Sequence, residues 1–424
     1  MNLATCDLRV DDETISWRDK GFPPTAEGLA ISQFVAAKPS LFEAGFSWPI
    51  MTLRESAIAN NVGALARWCE TYDISLAPHG KTTMAPALFS RQLAAGAWAM
   101  TAATPWQVRA YRGFGVPRVL LANELVDAEF VSWLTAERAN NEFDFLCYVD
   151  SVRGVEILGA ATAPHVGGPA GALKVLIELG IPGGRTGTRS IAEAMVVARA
   201  VQKFEALSLV GVAGYEGPLG HERDAKTLAT VHDFVTRLGE LLEALDHEAL
   251  LAAGIDEYIL TCGGSGHVDV VSHAMTRPLR CSRPVRPVLR SGSYITHDDG
   301  LYAHTSSMAA DLLPAIELWA QVWSRPEPAL ALVGAGRRDL PFDSGLPIPL
   351  WRRSSTGVLS PLQATVTQLN DQHAFVELGP NELLEPGDLV GFGVSHPCTA
   401  HDKWQLMPLL DDDRRVIDCV RSYF

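Results

Sequence analysis

"LKVLIELGIPGGRTG", residues 173–187, sets a seven-residue, near-continuously apolar run against a loop of glycines, one proline and one arginine. A run of that kind reads as a strand buried on both faces, as in a parallel sheet covered by helices. Seven more runs share the texture: "ISLAP" (74–78), "AWAMTA" (97–102), "RVLLAN" (118–123), "FDFLCYV" (143–149), "LSLVGVA" (207–213), "EYILTC" (257–262) and "RPVLR" (286–290). Between them lie amphipathic stretches such as "LRESAIANNVGALARWCETY", in which Ile58, Val62, Leu65 and Cys69 recur at helical spacing. Eight strand–helix alternations over about 250 residues are what a (β/α)₈ barrel of the TIM type requires. An open, doubly wound sheet has the same pattern, because periodicity does not reveal closure.

The texture changes near residue 300. Residues 301–424 carry Pro/Gly punctuation ("GLPIPLW", "LLEPGDLVGFG") and alternating segments ("QATVTQL", "HAFVEL"), which predict a smaller antiparallel β domain. The expected organisation is an N-terminal segment (1–45) that packs on the β domain or extends from the fold, an α/β barrel (46–300) and the β domain (301–424). No internal repeat is visible.

Composition narrows the function. The chain has 424 residues, 47% of them hydrophobic, enough for two domains and a large core. Its formal charge of −14 argues against nucleic acid or an anionic membrane as partner and favours a small-molecule substrate. The seven cysteines follow no framework spacing. Neither a leader pattern at the start nor an apolar run of about 18 residues occurs, so the expectation is a soluble cytoplasmic protein.

Barrel chemistry gathers at the C-terminal ends of strands. There this sequence has "HGKT" with Lys81, "GIPGGRTG" with Arg185, "GYEGPLGH" with Tyr215, "CGGSGH" and "SGSYITHDDG" with Tyr294. Consecutive glycines let backbone N–H groups converge on an anion, and a helix starting beyond them adds its positive end. "GGSG" (263–266) therefore reads as a phosphate cradle, with a plain glycine turn as the alternative. A lysine at such a mouth, partly desolvated and near a cation such as Arg185, has a lowered pKa and forms Schiff bases with aldehydes. Lys81 with a phosphate cradle points to pyridoxal 5'-phosphate; alone, Lys81 would read as a solvated loop lysine.

"PHGKT", "GGRTG", "GYEG", "CGGSG" and "LRSGSY", in this order, resemble the D-serine dehydratase and D-threonine aldolase family, built on an alanine-racemase-type barrel. The resemblance runs from about residue 48 to the C-terminus. It implies that Lys81 holds the cofactor covalently and takes the α-proton of the substrate. It further implies that Gly263, Gly264 and Ser265 form the phosphate loop, with Tyr294 reaching the phosphate region. Arg185 is implied near the phenolic oxygen of the cofactor and Tyr215 near its pyridine nitrogen. A homodimer is implied as well.

His396 and Cys398, two apart in "SHPCTAHDKW", would fall on one side of an extended segment and share a metal. A buried cysteine beside a structural histidine is the plainer reading of these letters. Dehydratase and aldolase members carry such a pair, and the thiolate variant, which favours zinc, resembles the dehydratase side. The expectation is pyridoxal-phosphate- and zinc-dependent deamination of a D-β-hydroxy amino acid by elimination of water, D-serine first. D-threonine aldol cleavage, racemisation and non-catalytic cofactor binding follow in that order. The longer start and the wording after "SHPC" depart from the family and bear on substrate identity. "VGAGRRDLPFDSGLP" (333–347) is a candidate cover for the site, and His221, His267 and His304 read as ordinary polar residues.

Overall fold

A computed structural model describes Leu8 and residues 13–139, 143–168 and 171–424. Cys6 and residues 1–7 and 9–12 of the N-terminal segment lie outside the described residues. The first strand, β1 (Ile50–Arg54), does not enter the barrel but pairs with strands from the far end of the chain. The next eight are the parallel strands read from the sequence: β2 (Ser75–Leu76), β3 (Met100–Ala102), β4 (Arg118–Glu124), β5 (Asp144–Val149), β6 (Leu173–Leu179), β7 (Leu207–Gly214), β8 (Tyr258–Cys262) and β9 (Val285–Leu289). Their order is β2-β9-β8-β7-β6-β5-β4-β3. The ring closes between the two ends: Trp98 N–H donates to the Leu76 carbonyl at 2.7 Å and Thr101 N–H to that of Pro78 at 2.9 Å, and His79 bridges Thr101. Pro78, lacking an N–H, helps explain why β2 is so short.

The barrel interior is layered by the two-residue period of its strands. Ala77, Ala99, Leu120, Leu146, Leu176, Val210, Ile259 and Val288 form its apolar middle. Two positions earlier along the strands, Arg118 and Lys174 both bond Asp144 (2.9 and 2.7 Å). Two positions later come His79, Tyr148, Glu178 and Arg290, on the layer nearest the strand ends.

Contacts divide the chain into two units. Leu65–Lys81 and Phe89–Gly292 make the barrel unit; Thr82–Leu88, Ser293–Phe424 and the segment that ends at Ala64 make the other. In the second unit nine strands join β1: β10 (Ile316–Glu327), β11 (Leu330–Val333), β12 (Ile348–Arg353), β13 (Leu359–Pro361), β14 (Ala364–Leu369), β15 (Ala374–Leu378), β16 (Leu389–Gly393), β17 (Leu406–Leu410) and β18 (Val416–Arg421). The path β13-β12-β16-β10-β1-β17-β18 is continued by β11, β15 and β14. β1 is antiparallel to β10 and parallel to β17, so it is an interior strand of this sheet, and its almost wholly buried residues fit that place. The two alternating segments read from sequence form the antiparallel pair β14–β15. Phe22, Phe34 and Phe46 cluster with ring centroids 5.7 to 6.0 Å apart. Backbone bonds such as Leu41 N–H to the Arg414 carbonyl attach the N-terminal segment to this unit.

Candidate active site

In the barrel unit, polar groups crowd the ends of β2, β7, β8 and β9. Lys81 lies in a 3₁₀ turn (Gly80–Thr82) two residues beyond His79. Gly80 is required there, since a Cβ would collide with Phe89 and Tyr111. Gly292 is required as well, because its Cβ would run into the His79 backbone. His79 is held neutral, its pKa well below the usual value, by burial first and then by the charges of Lys81, Arg290 and Arg185. Three cations therefore converge on one imidazole, whose Nδ1 has no hydrogen-bond partner.

Arg290 is buried and donates to Thr261 Oγ1 (2.6 Å) and the Gly214 carbonyl (2.5 Å). Among the described residues it has no carboxylate within ion-pair distance. A buried guanidinium without a counter-charge is costly, which makes this end of the barrel receptive to an anion. Arg185 lies over the Tyr215 ring at 5.0 Å, so the loop after β6 meets the residue after β7.

The glycine loop follows β8. Gly263 has φ +109°, a region that favours glycine. A Cβ on Gly264 would stand 3.1 Å from Tyr215 Cε2 and 3.3 Å from Glu216 Oε1. The Gly264 N–H already donates to buried Glu216 Oε1 at 2.7 Å, and Ser291 Oγ bonds the Gly264 carbonyl. The helix Val268–Met275 starts just beyond this loop, with Asp269 in its first turn. His267 caps that helix and contacts the Gly220 carbonyl at 3.0 Å.

Glu124 and Glu178 lie across the same end. Burial, then the nearby Glu178 carboxyl, push the Glu124 pKa up to about 9. Tyr148, register partner of Glu124, is buried with its hydroxyl unpartnered.

In the second unit, His396 is buried and Cys398 half-buried. Burial alone would lower the His396 pKa, but contacts to Asp298 and Cys398 raise it to about 10. Asp298 Oδ2 sits 3.7 Å from His396 Nδ1, and the Tyr302 ring lies at 5.3 Å from the imidazole. Asp299, next along, is pushed up to about 7 by burial, then by Asp298 and Glu317. Backbone bonds from Asp299 N–H to Val394 and Leu301 N–H to Ser395 fasten this turn to the His396 segment. The 333–347 loop is tied to the same segment: Ser395 Oγ donates to the Gly345 carbonyl and Thr399 Oγ1 to Asp343.

Of the residues singled out from sequence, Lys81, Arg185, Tyr215, Gly263, Gly264 and Ser265 belong to the barrel unit and Tyr294, His396 and Cys398 to the other. The sequence reading missed His79, Glu216, Arg290 and Asp298 as functional candidates. Arg290 was accessible: it lies two residues after Val288, whose side chain fills the barrel core, so strand alternation turns it inward.

A closed parallel barrel and an antiparallel β unit in one chain define the alanine-racemase type of fold. Alanine racemase from E. faecalis shares it, at TM-score 0.54 and 16% identity, over 81% of this chain and 87% of that one. Within that class the chain is similar to members of the D-serine dehydratase and D-threonine aldolase family. Residues 315–410 match the putative serine dehydratase domain. A D-threonine aldolase from Arthrobacter sp is 24% identical over 335 residues, 78% of this chain and 80% of that protein. The D-threo-3-hydroxyaspartate dehydratase from Delftia sp. HT23 has TM-score 0.72 and 19% identity, over 89% of this chain and 97% of that one.

The residues fit both groups that the family implies. Lys81, the converging cations and the glycine loop suit a phosphorylated aldehyde. The sulfur–nitrogen donor pair of Cys398 and His396, in contact with each other, suits zinc. Among the described residues no group of three His, Cys, Asp or Glu is arranged to hold a metal, so this pair would leave positions open.

Proposed function

We propose that the protein is a pyridoxal-phosphate- and zinc-dependent lyase that eliminates water from a D-β-hydroxy amino acid, D-serine being the first substrate, and releases aminoacrylate, which water then hydrolyses to pyruvate and ammonia. The observation that carries this reading is the Cys398 thiol beside His396. Lys81 would hold the cofactor, and its Nζ would accept the α-proton of the substrate. Arg185 and Arg290 neutralise anionic groups, while His79, kept neutral among cations, adds no further positive charge. The cofactor supplies an electron sink for charge at Cα. Zinc on His396 and Cys398 supplies Lewis acidity toward the β-hydroxyl.

Aldol cleavage of D-threonine to glycine and an aldehyde is the second reading, favoured by the likeness to the Arthrobacter enzyme. We further propose a homodimer in the cytoplasm. Six cysteines among the described residues are free thiols, which supports a reducing compartment, and no described helix is long and apolar enough to cross a membrane. Incubation with D-serine, D-threonine and D-threo-3-hydroxyaspartate, with keto acid and glycine assayed separately, tests the assignment. Glycine without keto acid would move it to the aldolase reading.

A further inference from the structure

We infer that Asp298 is the positioning residue of the metal pair: it keeps the proton of His396 on Nδ1 and so leaves Nε2 as the nitrogen that binds metal. The inference rests on the zinc reading above. Asp298 is wholly buried, and its Oδ1 accepts three backbone N–H groups, from Gly300 (3.1 Å), Tyr302 (2.8 Å) and Ala303 (3.2 Å). Those three donors stop the carboxylate from turning. Its other oxygen, Oδ2, has no hydrogen-bond partner and faces His396 Nδ1 at 3.7 Å, a few tenths beyond a hydrogen bond. His396 Nδ1 is also buried and without a hydrogen-bond partner.

The surroundings hold both groups to this arrangement. The Tyr302 ring packs on the imidazole, and its own N–H is one of the three donors that fix Asp298. The strand-like bonds from Asp299 and Leu301 to Val394 and Ser395 fix the spacing of the two backbones. A carboxylate only accepts hydrogen bonds, so the imidazole that gives up one proton to bind a metal keeps the hydrogen on Nδ1, opposite Asp298. The lone pair then lies on Nε2. Nothing in the H-x-C spacing indicated this, because Asp298 is almost 100 residues away in sequence.

Asp298→Asn separates charge and tautomer from shape. The amide oxygen can keep the three backbone donors, which turns the NH₂ toward His396 Nδ1 and selects the opposite tautomer. Zinc affinity, measured by competition with a chromophoric chelator, should fall about 10- to 100-fold, the usual effect of losing such a partner. In a His396→Gln background the same change should have no further effect. If Asp298→Asn melts early, the wild-type protein labelled with ¹⁵N-histidine still answers: zinc-loaded His396 should show a hydrogen on Nδ1 and metal on Nε2. Zinc on Nδ1, or unchanged affinity in a folded Asp298→Asn protein, overturns the positioning role alone. Wild-type protein that binds no zinc overturns the zinc reading and this inference with it.

Discussion

Glu216 accepts the Gly264 N–H at 2.7 Å, fixing the glycine loop from the residue that follows Tyr215. The loop is thus held from behind by a carboxylate, and bulk at Gly264 would press on both Tyr215 and Glu216. Gly264→Val is expected to weaken pyridoxal phosphate binding by a few kcal/mol, roughly the scale of lost charge-assisted hydrogen bonds. Equilibrium dialysis of the cofactor checks this. Full affinity in the variant would move the cradle elsewhere.

Lys81 should be the site of covalent attachment. Borohydride reduction of the holoenzyme followed by peptide mapping is expected to mark Lys81 and no other lysine. Lys174 is the internal control, since it is engaged by Asp144 at 2.7 Å in the opposite layer of the barrel interior. A label on Lys174 would sink the assignment.

Glu124 should make stability depend on pH. Its carboxyl keeps its proton up to about 9 in the folded chain but releases it near 4.5 when unfolded, chiefly because of burial. The stabilisation is therefore fully present below about 4.5 and is lost as pH rises toward 9. Between pH 5 and 8 the loss should be on the order of 1 kcal/mol or more. Glu124→Gln, which cannot ionise, should flatten thermal-melt curves over this range and melt higher than wild type at pH 8. Parallel curves for the two proteins would contradict the assignment.

Cys398→Ala should lose bound zinc and about 10²-fold or more in pyruvate formation, while the visible spectrum of the bound cofactor stays nearly unchanged. Chelator-treated wild type should behave alike. Metal analysis, spectra and turnover on the same samples check the three parts together.

How much of this was legible in the sequence follows from the range of the interactions. All eight barrel strands were readable because burial on both faces leaves a local signature, and the inward series Lys174, Leu176 and Glu178, one residue in each layer, is written in two-residue steps. Closure was not, since it depends on hydrogen bonds between Leu76 and Trp98 and between Pro78 and Thr101. β1 read as barrel material by position in the chain; its partners, β10 and β17, lie more than 260 residues downstream. Separation along the chain also hid Asp298 behind His396, almost 100 residues away. Glycine motifs exposed the Gly263–Ser265 loop, but not that Glu216 takes one of its donors.

The central claim, elimination rather than aldol cleavage at a zinc-assisted site, is tested most directly by product analysis of the zinc-loaded holoenzyme. D-Serine should yield pyruvate and ammonia in equal amounts, with turnover abolished by chelation and restored by zinc. Glycine as the product from D-threonine, with no pyruvate from D-serine at any zinc level, would contradict the account.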